Sequence, residues 1–397
     1  MEPQSSRTTE FDRLRKQKAR RRFFKRLFVL TLLTAAVGLA LVLREDISNL
    51  GVGTRLADLY LSWRPGMQYP AEAPSGRVVA LAAMGSDLVV LGDTNLNLYN
   101  STARRMASYQ HGYKNPILRT AGDRVLTFDR GGRQLRVDCR SKALFSENGD
   151  RNILSADLAP NGTLAVLRSS VRYQAEAAVY DRQFNRFFVW YTSVGTVLDV
   201  SLERQGQGMA VSAVAAEAGL LYSVVTCLRF DSETPVAEIV LEDQLVVSMT
   251  YTDAGNLQIL TDRQALLYDP QGNRLASYDY EGALLGRFIN SSDGKVFLVL
   301  DNLGDGGILT LVSLDEELRQ AGSVRLAGQA LGLVYGQQKL YLLAENGIFS
   351  YGAGLNRPTQ VPLDEAYLIQ PAQDALYGVT AEQIIRQPFA IGPAAGR

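Results

Sequence analysis

The sequence predicts an all-β protein, a β-propeller of eight blades with seven as the alternative, preceded by one N-terminal transmembrane α-helix. Three observations predict this class. An uncharged run covers residues 27–43, a unit of four short strands recurs through the rest of the chain, and each copy carries a turn at a corresponding place. Four-stranded units that repeat about every 40 residues are typical of propellers.

The first element is the run Leu27–Leu43, which is bounded by Arg26 and Arg44. It contains no charge, and as a helix it would extend roughly 26 Å. That length is near the short limit for a hydrocarbon core of about 30 Å. Residues 13–26 hold nine Lys and Arg and no acid. By the positive-inside rule, residues 1–26 form a basic cytoplasmic tail, residues 27–43 anchor the chain in the lipid bilayer, and the C-terminal domain is extracytoplasmic.

Two other interpretations of this run stay open. A cleaved signal peptide has a similar apolar stretch, and Gly38 with Ala40 gives a faint cleavage pattern. Both residues lie inside the run, however, and the basic segment before it is long, which favours an uncleaved anchor. A buried helix of a soluble protein would have to bury the run on all sides beside nine charges.

Residues 44–65 form a predicted connector between the anchor and the propeller. Residues 47–61 could make a short amphipathic helix, whereas residues 63–76 are rich in Pro and Gly and are predicted to be extended. The propeller is expected over residues 66–390, followed by a C-terminal tail at 391–397.

The repeating unit is clearest in residues 245–284, where four short strands are separated by turn residues. An Asp or Asn recurs between the third and fourth strands, with a Gly in the last copy. These positions are Asn100, Asp138, Asp181, Asp231, Asp269, Asp315 and Gly352. Asp and Asn side chains accept hydrogen bonds from their own backbone two residues on. We therefore predict that these residues form turns rather than bind a ligand.

Eight copies of the unit can be counted. First strands are predicted to begin near residues 78, 117, 153, 196, 245, 285, 329 and 367. The last copy, Tyr367 to Phe389, supplies only three strands. Gly66 to Pro74 is placed to add the fourth, which would close the ring and remove exposed sheet edges.

Residues 109–137 (YQHGYKNPILRTAGDRVLTFDRGGRQLRV) and 140–145 (RSKALF) resemble a family of uncharacterised membrane-anchored β-propellers from Firmicutes, mainly clostridia, that is known as a domain of unknown function. The layout of an anchor followed by a propeller is similar too. The resemblance implies a bacterium with a single membrane and a domain facing the cell wall. It implies no activity and assigns no functional residue.

Composition excludes several classes of function. The 41 basic and 41 acidic residues are unevenly divided, so residues 1–44 carry about +8 and the rest about −8. An acidic domain is a poor partner for nucleic acid. A single histidine excludes sites that need two, including most zinc enzymes. The two cysteines, Cys139 and Cys227, fall in blades 2 and 4, too far apart for a disulfide.

The candidate ligand contacts are His111 and Tyr113, in the segment that joins blades 1 and 2. The alternative is a structured turn, in which Gly112 and Pro116 shape the backbone and the rings pack. Residues 301–307 (DNLGDGG) resemble a calcium loop without its alternation or closing Glu, so a hairpin is favoured. Residues 130–133 (RGGR) are interpreted as a hairpin turn. No catalytic residue, cofactor or metal is predicted.

The predicted function is a non-catalytic binding or scaffolding module at the cell envelope. Its partners would be the bilayer, through the N-terminal helix, and an envelope protein or polymer, but not nucleic acid. The alternative is a hydrolase or lyase of wall polymers that uses carboxylates at the mouth of the propeller channel. A membrane-spanning sensor is a third possibility, and its short tail would have to signal through another protein.

Overall fold

The computed structural model describes residues 27–28, 30–31, 34, 52–302, 308–326 and 328–389. The chain divides into two compact units, residues 1–57 and 58–397. In the described part, no helix is both long and apolar enough to cross a membrane. Most of the run 27–43 lies outside the described residues, as do Arg26, Leu43 and Arg44. The anchor therefore stays a prediction.

The connector contains one described helix, α1, over Val52–Trp63. A helix was expected over residues 47–61; residues 47–51 lie outside the described residues, and the described helix ends two residues later than expected. The chain after it is irregular as far as Ala71, as its Pro and Gly content indicates.

The rest of the described chain forms eight antiparallel sheets of four strands each. The sheets are numbered as blades in chain order. Blade 1 contains β2 (Val78–Met84), β3 (Asp87–Gly92), β4 (Asn95–Tyr99) and β5 (Arg105–Gln110), and blade 2 contains β6 (Pro116–Ala121), β7 (Arg124–Asp129), β8 (Gln134–Asp138) and β9 (Ala143–Asn148). Blade 3 contains β10 (Ile153–Leu158), β11 (Leu164–Ser169), β12 (Ala175–Tyr180) and β13 (Arg186–Thr192), and blade 4 contains β14 (Thr196–Leu202), β15 (Gly208–Glu217), β16 (Leu220–Arg229) and β17 (Ala237–Glu242). Blade 5 contains β18 (Val246–Tyr251), β19 (Leu257–Thr261), β20 (Gln264–Tyr268) and β21 (Arg274–Asp279), and blade 6 contains β22 (Leu284–Asn290), β23 (Val296–Asp301), β24 (Leu309–Leu314) and β25 (Gln320–Leu326). Blade 7 contains β26 (Ala330–Gly336), β27 (Lys339–Ala344), β28 (Gly347–Tyr351) and β29 (Thr359–Val361), and blade 8 contains β30 (Leu368–Pro371), β31 (Ala375–Val379) and β32 (Gln383–Pro388) together with β1 (Ala71–Glu72).

The first strands of the blades form a closed inner ring. Each first strand contacts the first strand of the blade before and after it, and β30 of blade 8 contacts β2 of blade 1. The eight-bladed prediction is confirmed, and the seven-bladed alternative is excluded. The ring closes through β1, which pairs with β32 at Ala71↔Ile384 and Glu72↔Gln383. The closing strand thus comes from the segment predicted to supply it.

The core lies between the blades. The middle strands are buried on both sides, and Leu164, Ala165, Val166 and Leu167 of β11 are all fully buried. Strands covered on both sides read as continuous apolar runs instead of alternating ones. Each buried Val or Leu side chain contributes about 1.5–3 kcal/mol. Neighbouring blades are therefore held together mainly by apolar burial.

The antiparallel order of the strands creates two faces. The hairpins between first and second strands, and between third and fourth strands, lie on one face; we call it the helix face, because the last turn of α1 is bound there. The second-to-third hairpins and the links between blades lie on the other, which we call the link face. Each blade contributes to both.

The recurring Asp and Asn side chains form turns on the helix face. Asp269 Oδ1 accepts hydrogen bonds from the backbone N–H groups of Gln271 (2.9 Å) and Asn273 (2.8 Å). Asp181 and Asp315 bind the N–H groups two and four residues on in the same way. The prediction that these residues form turns is confirmed at these positions.

Two positions of the predicted series do not behave in this way. Asp138 is the last residue of β8 and is fully buried, with Arg136 Nε 2.8 and 2.9 Å from its carboxylate oxygens. The turn in blade 2 starts one residue later, at Cys139, whose N–H binds the carbonyl of Lys142. Asp231 likewise pairs with Arg229. The turn of blade 2 was therefore predicted one residue too early, because an Asp was expected at its first position.

Both cysteines are free and buried, Cys139 after β8 and Cys227 within β16. The prediction that they do not form a bridge is confirmed. Burial raises the pKa of the Cys227 thiol to about 11, so the thiol packs as a neutral group.

Candidate functional site

His111 and Tyr113 lie in the link between β5 and β6, on the link face, and the structure brings them together. Their rings stack with centroids 4.7 Å apart. The Tyr113 N–H points to Nδ1 of His111 (3.4 Å), and Nε2 lies 3.2 Å from the carbonyl oxygen of Gly92. Burial lowers the pKa of His111. This geometry fits a neutral imidazole that donates through Nε2 and fixes the link.

The same two side chains line a cleft of about 220 Å³ between blades 1 and 2. Arg136 also lines the cleft, and its guanidinium carbon lies 3.9 Å from the centre of the Tyr109 ring. Arg136 also donates hydrogen bonds to the carboxylate of Asp138. Burial raises the pKa of Asp138 to about 6, and the hydrogen bonds and positive charge of Arg136 oppose this shift. The charged groups that line the cleft are already paired, Arg136 with Asp138 and Glu147 with Arg168, so neither is free to bind an ionic ligand.

The central channel contains a second cavity, of about 500 Å³, lined by inner strands of blades 2, 4, 5 and 6. Its charged lining groups are Arg119, Arg130 and Asp199. Ser155 donates a hydrogen bond to Asp199, and Arg119 lies 4.0 Å from the same carboxylate oxygen. Two polar groups that line the cavity, Ser212 Oγ and Asn290 Oδ1, are buried and have no partner in the described part of the chain.

Arg130 lies at the channel mouth on the link face and donates hydrogen bonds to two neighbouring blades. The inner strands of blades 3 and 4 each carry a β-bulge, which leaves Leu154 and Leu198 outside the regular pairing. Such unpaired carbonyls need another donor. Arg130 supplies it, with Nε 3.0 Å from the carbonyl of Leu154 and Nη2 3.3 Å from that of Leu198. The RGGR segment is a hairpin turn as predicted, but its first residue also joins three blades.

Two carboxylates lie on neighbouring inner strands, Asp157 on β10 and Asp199 on β14. Asp157 accepts a hydrogen bond from the N–H of Leu202 (2.8 Å). Burial raises its pKa, while the positive charge of Arg119 opposes that shift and the charge of Asp199 adds to it. The hydrolase alternative would need two carboxylates that face a substrate; of these two, Asp199 lines the channel cavity and Asp157 is not among its lining residues.

The link face exposes many large apolar side chains. Those at least 37 % exposed are Val79, Val171, Tyr173, Tyr191, Val194, Leu220, Leu221, Leu245, Val247, Leu284, Ile308, Leu331 and Tyr367. Several of them lie within one residue of the start of an inner strand, next to the channel mouth. We call this set the apolar rim. Exposed apolar groups gathered on one face are characteristic of binding surfaces.

The apolar rim is most prominent at blades 3 and 4. Strands β15 and β16 are ten residues long, and Ala215 to Leu221 extend beyond the pairing with β14 and β17. Leu220, at the tip, is 70 % exposed. Gly195 allows the preceding link to pass close by, since a Cβ there would lie 2.3 Å from the carbonyl oxygen of Val214. The hairpin therefore projects from the face on a close-packed base.

A third cavity, of about 760 Å³, opens on the helix face between blades 5 and 6. Two of its acidic side chains are already paired: Asp253 binds Arg204 at 2.7 Å, and Asp293 accepts a hydrogen bond from the Tyr335 hydroxyl at 2.7 Å. These pairs tie blades 5 and 6 to their neighbours.

Among the described residues, no three His, Cys, Asp or Glu side chains lie close enough to hold a metal ion. The possible calcium loop starts at Asp301, the last residue of β23, but residues 303–307 lie outside the described residues. That hypothesis stays untested.

Sequence reasoning missed the channel residues Arg119 and Arg130 and the apolar rim. The rim left a signal: first strands begin with apolar pairs such as Val78–Val79 and Val246–Val247, although links between strands are usually polar. Arg130 left none, because its partners are carbonyls far along the chain.

The comparisons with known proteins agree with this architecture. The profile of a family described as "Family of unknown function (DUF5711)" matches residues 70–326. None of the curated proteins compared with the sequence matches it significantly.

Among solved structures, the C-terminal WD40 domain of Sif2 superposes with a TM-score of 0.59 at 13 % identity, covering 82 % of this chain and 100 % of that one. Sqt1 of Saccharomyces cerevisiae superposes with a TM-score of 0.56 at 11 % identity, again covering 82 % and 100 %. At such low identity these similarities establish the fold alone, that of WD40 β-propellers.

Proposed function

Starting from the fact that this chain belongs to the DUF5711 family of unknown function, we propose that it is a membrane-tethered, extracytoplasmic β-propeller that binds a protein of the cell envelope without catalysing a reaction. The source would be a bacterium with a single membrane, as the resemblance in residues 109–145 implies. The domain would then face the cell wall.

The tether is supported by the charge pattern around residues 27–43. Nine basic residues precede the apolar run, which favours retention of the N-terminus in the cytoplasm. Residues 58–64 join the propeller at its helix face, through hydrogen bonds from Asn100. The link face is the opposite surface, and it would be available to a partner.

The apolar rim is the observation that carries the binding role. Its tip residue Leu220 is 70 % exposed, and Tyr173 and Tyr191 contact each other nearby with ring centroids 5.0 Å apart. Tyrosine and apolar anchors are enriched where proteins bind proteins. This chemistry favours a protein partner over a polysaccharide, which would need more hydrogen-bonding groups.

Blade 4 offers a matched pair for the test. Leu220 on the link face and Val236 on the helix face are both exposed apolar residues of that blade. A photo-crosslinking amino acid is placed at either position in the full chain, in membranes of cells that express it. We expect a discrete adduct with one envelope protein from position 220 and none from position 236. Equal patterns from both positions, or no adduct at 220, would contradict the proposal.

One observation favours the hydrolase alternative, namely the carboxylates of Asp157 and Asp199 on adjacent inner strands, with the pKa of Asp157 raised by burial. The decisive assay is release of soluble fragments from purified cell wall. The binding proposal expects no release by the full chain above the background of Asp157→Asn and Asp199→Asn. Release that either substitution abolishes would support catalysis instead.

A further inference from the structure

The helix α1 presents apolar side chains to solvent. Leu59, Tyr60 and Trp63 are 50, 60 and 78 % exposed, and Leu56, one turn earlier, is 61 % exposed. Residues spaced in this way lie along one side of a helix. We call these four residues the outer stripe. Just beyond the helix, Met67 is 94 % exposed.

The side of α1 that contacts the propeller carries the polar residues Asp58 and Ser62 beside the half-buried Leu61. Asp58 is buried, and the Ser62 hydroxyl lies 3.4 Å from a carboxylate oxygen of Asp87 in blade 1. A helix that packs on a soluble domain normally buries its apolar side and exposes its polar one. Here most of the large apolar side chains face solvent instead, which leaves the outer stripe available to an apolar environment.

Asn100 fixes this orientation. Its side-chain N–H groups donate to the carbonyls of Leu61, Ser62 and Arg64, at 3.4, 3.3 and 2.8 Å. Its Oδ1 accepts from the N–H groups of Thr102 and Arg104. Asn100 is fully buried in the turn between β4 and β5. The helix cannot roll to bury the outer stripe without losing these bonds.

We propose that the outer stripe lies in the boundary between headgroups and hydrocarbon of the membrane that carries the chain. This inference rests on the proposed tether and adds the occupant of the helix surface, a lipid bilayer. The helix would lie parallel to the membrane, and the helix face of the propeller would be held against it.

Sequence distance and side-chain chemistry both favour this occupant. Residues 44–51, between the predicted anchor and α1, can extend at most about 28 Å, which keeps the helix near the bilayer. Trp and Tyr are the residues enriched at membrane interfaces. Arg64, with its guanidinium 5.7 Å from the Tyr60 ring, adds a positive charge beside the outer stripe that suits lipid phosphates.

The chain contains only two tryptophans, which makes a direct test possible. In the full chain reconstituted into lipid nanodiscs, Trp190→Phe leaves Trp63 as the single reporter. We expect its emission to shift to the blue and to be quenched at least about twofold by lipids brominated near the headgroup, as for interfacial tryptophan. Trp63→Phe leaves Trp190, which packs against the core between blades 3 and 4 and should not be quenched.

The outcomes separate the tether from the placement of the helix. If the chain stays in the nanodisc after alkaline washing but Trp63 emits as in water and is not quenched, the inference is wrong and the tether stands. If the chain leaves the lipid, both are wrong. A melting curve of each variant that matches the parent excludes misfolding as the cause. Loss of the Trp63 blue shift in Leu59→Glu, with the chain still in the disc, would support the inference.

Discussion

The helix face and the link face are built by the same eight blades but differ in what their hairpin side chains do. On the helix face, polar groups such as Asn100 and Asp269 bind the backbone of their own turns, and several are buried. On the link face, apolar side chains such as Leu220 and Val171 stand in solvent. The turns of the helix face satisfy their own polar groups, although that face also exposes apolar side chains, on α1 and at Leu275. The exposed apolar side chains of the link face are more numerous.

Because of this difference, we expect the buried polar residues to determine folding stability and the exposed apolar residues to determine binding of a partner. Removing a buried polar group leaves its hydrogen-bond partners unsatisfied and lowers the free energy of unfolding. Removing an exposed apolar group costs the free protein little, because the group buries little before a partner arrives. Substitutions on the two faces should therefore affect different measurements.

The largest loss of stability is expected at Asn100, which binds both its own turn and the end of α1. Asn100→Ala should lower the free energy of unfolding by about 3 kcal/mol, because it leaves several buried groups without partners. Urea denaturation of the full chain in detergent measures it. Asp269→Ala is the matched control, since it has the same turn but no helix contact, and about 1 kcal/mol is expected there. Equal losses would show that the helix contact contributes nothing.

Asp138 should make stability depend on pH. Its pKa is raised from 3.8 to about 6 by burial, so the folded state holds a proton that the unfolded state loses first. The stabilisation is complete below pH 3.8 and is lost as the pH rises through about 6. Relative to Asp138→Asn, the parent should lose about 2–3 kcal/mol over this interval.

Denaturation midpoints of Asp138→Asn and the parent at a series of pH values test this prediction. Asp231→Asn provides the opposite control, because hydrogen bonds from Arg229 lower the pKa of this exposed carboxyl. There the parent should gain stability relative to the variant as the pH rises. A flat difference curve for Asp138 would contradict a raised pKa of this buried carboxyl.

Arg130 differs from the exposed apolar residues of the link face, because its side chain stabilises the fold. Arg130→Met removes the donors to the carbonyls of Leu154 and Leu198 and should cost about 1 kcal/mol. Arg133→Met, in the same hairpin, is the control and should change the unfolding free energy by less than about 0.5 kcal/mol. The same loss at both positions would indicate a general effect of removing charge from the turn.

The smallest effect on stability is expected at the tip of the blade 4 hairpin. Leu220→Ser should change the free energy of unfolding by less than about 0.5 kcal/mol. With a photo-crosslinker at position 171, the same substitution should reduce the yield of partner adduct about tenfold, as for a central interface residue. Val236→Ser should leave the yield unchanged. A reduced yield with both variants would place the partner elsewhere.

The sequence predicted most of the fold because propeller turns are determined locally. The eight first strands begin within about one residue of their predicted positions, since Gly, Asp and Asn mark the chain reversals between strands. The closing strand was found because the last copy of the unit lacked one. The error at Asp138 has the same origin: an Asp near a turn was aligned with the turn, although this one belongs to a buried strand.

The candidate site was predicted only in part. His111 and Tyr113 do meet, because they are neighbours in the chain. Arg130 depends on carbonyls that bulges expose 24 and 68 residues away, and no local pattern signals such a contact. The orientation of α1 was also beyond prediction, because an amphipathic pattern gives a polar and an apolar side but does not say which one the propeller receives.

The position of Asn100 has a mechanical consequence. The closing strand β1 is only two residues long, and it lies directly after α1 and its connecting segment. Tension applied to the chain at residue 58 meets the three hydrogen bonds from Asn100 to Leu61, Ser62 and Arg64 before it reaches β1. Those bonds attach the pulled segment to blade 1 through the turn after β4, so load enters the propeller there before it reaches the two-residue closure.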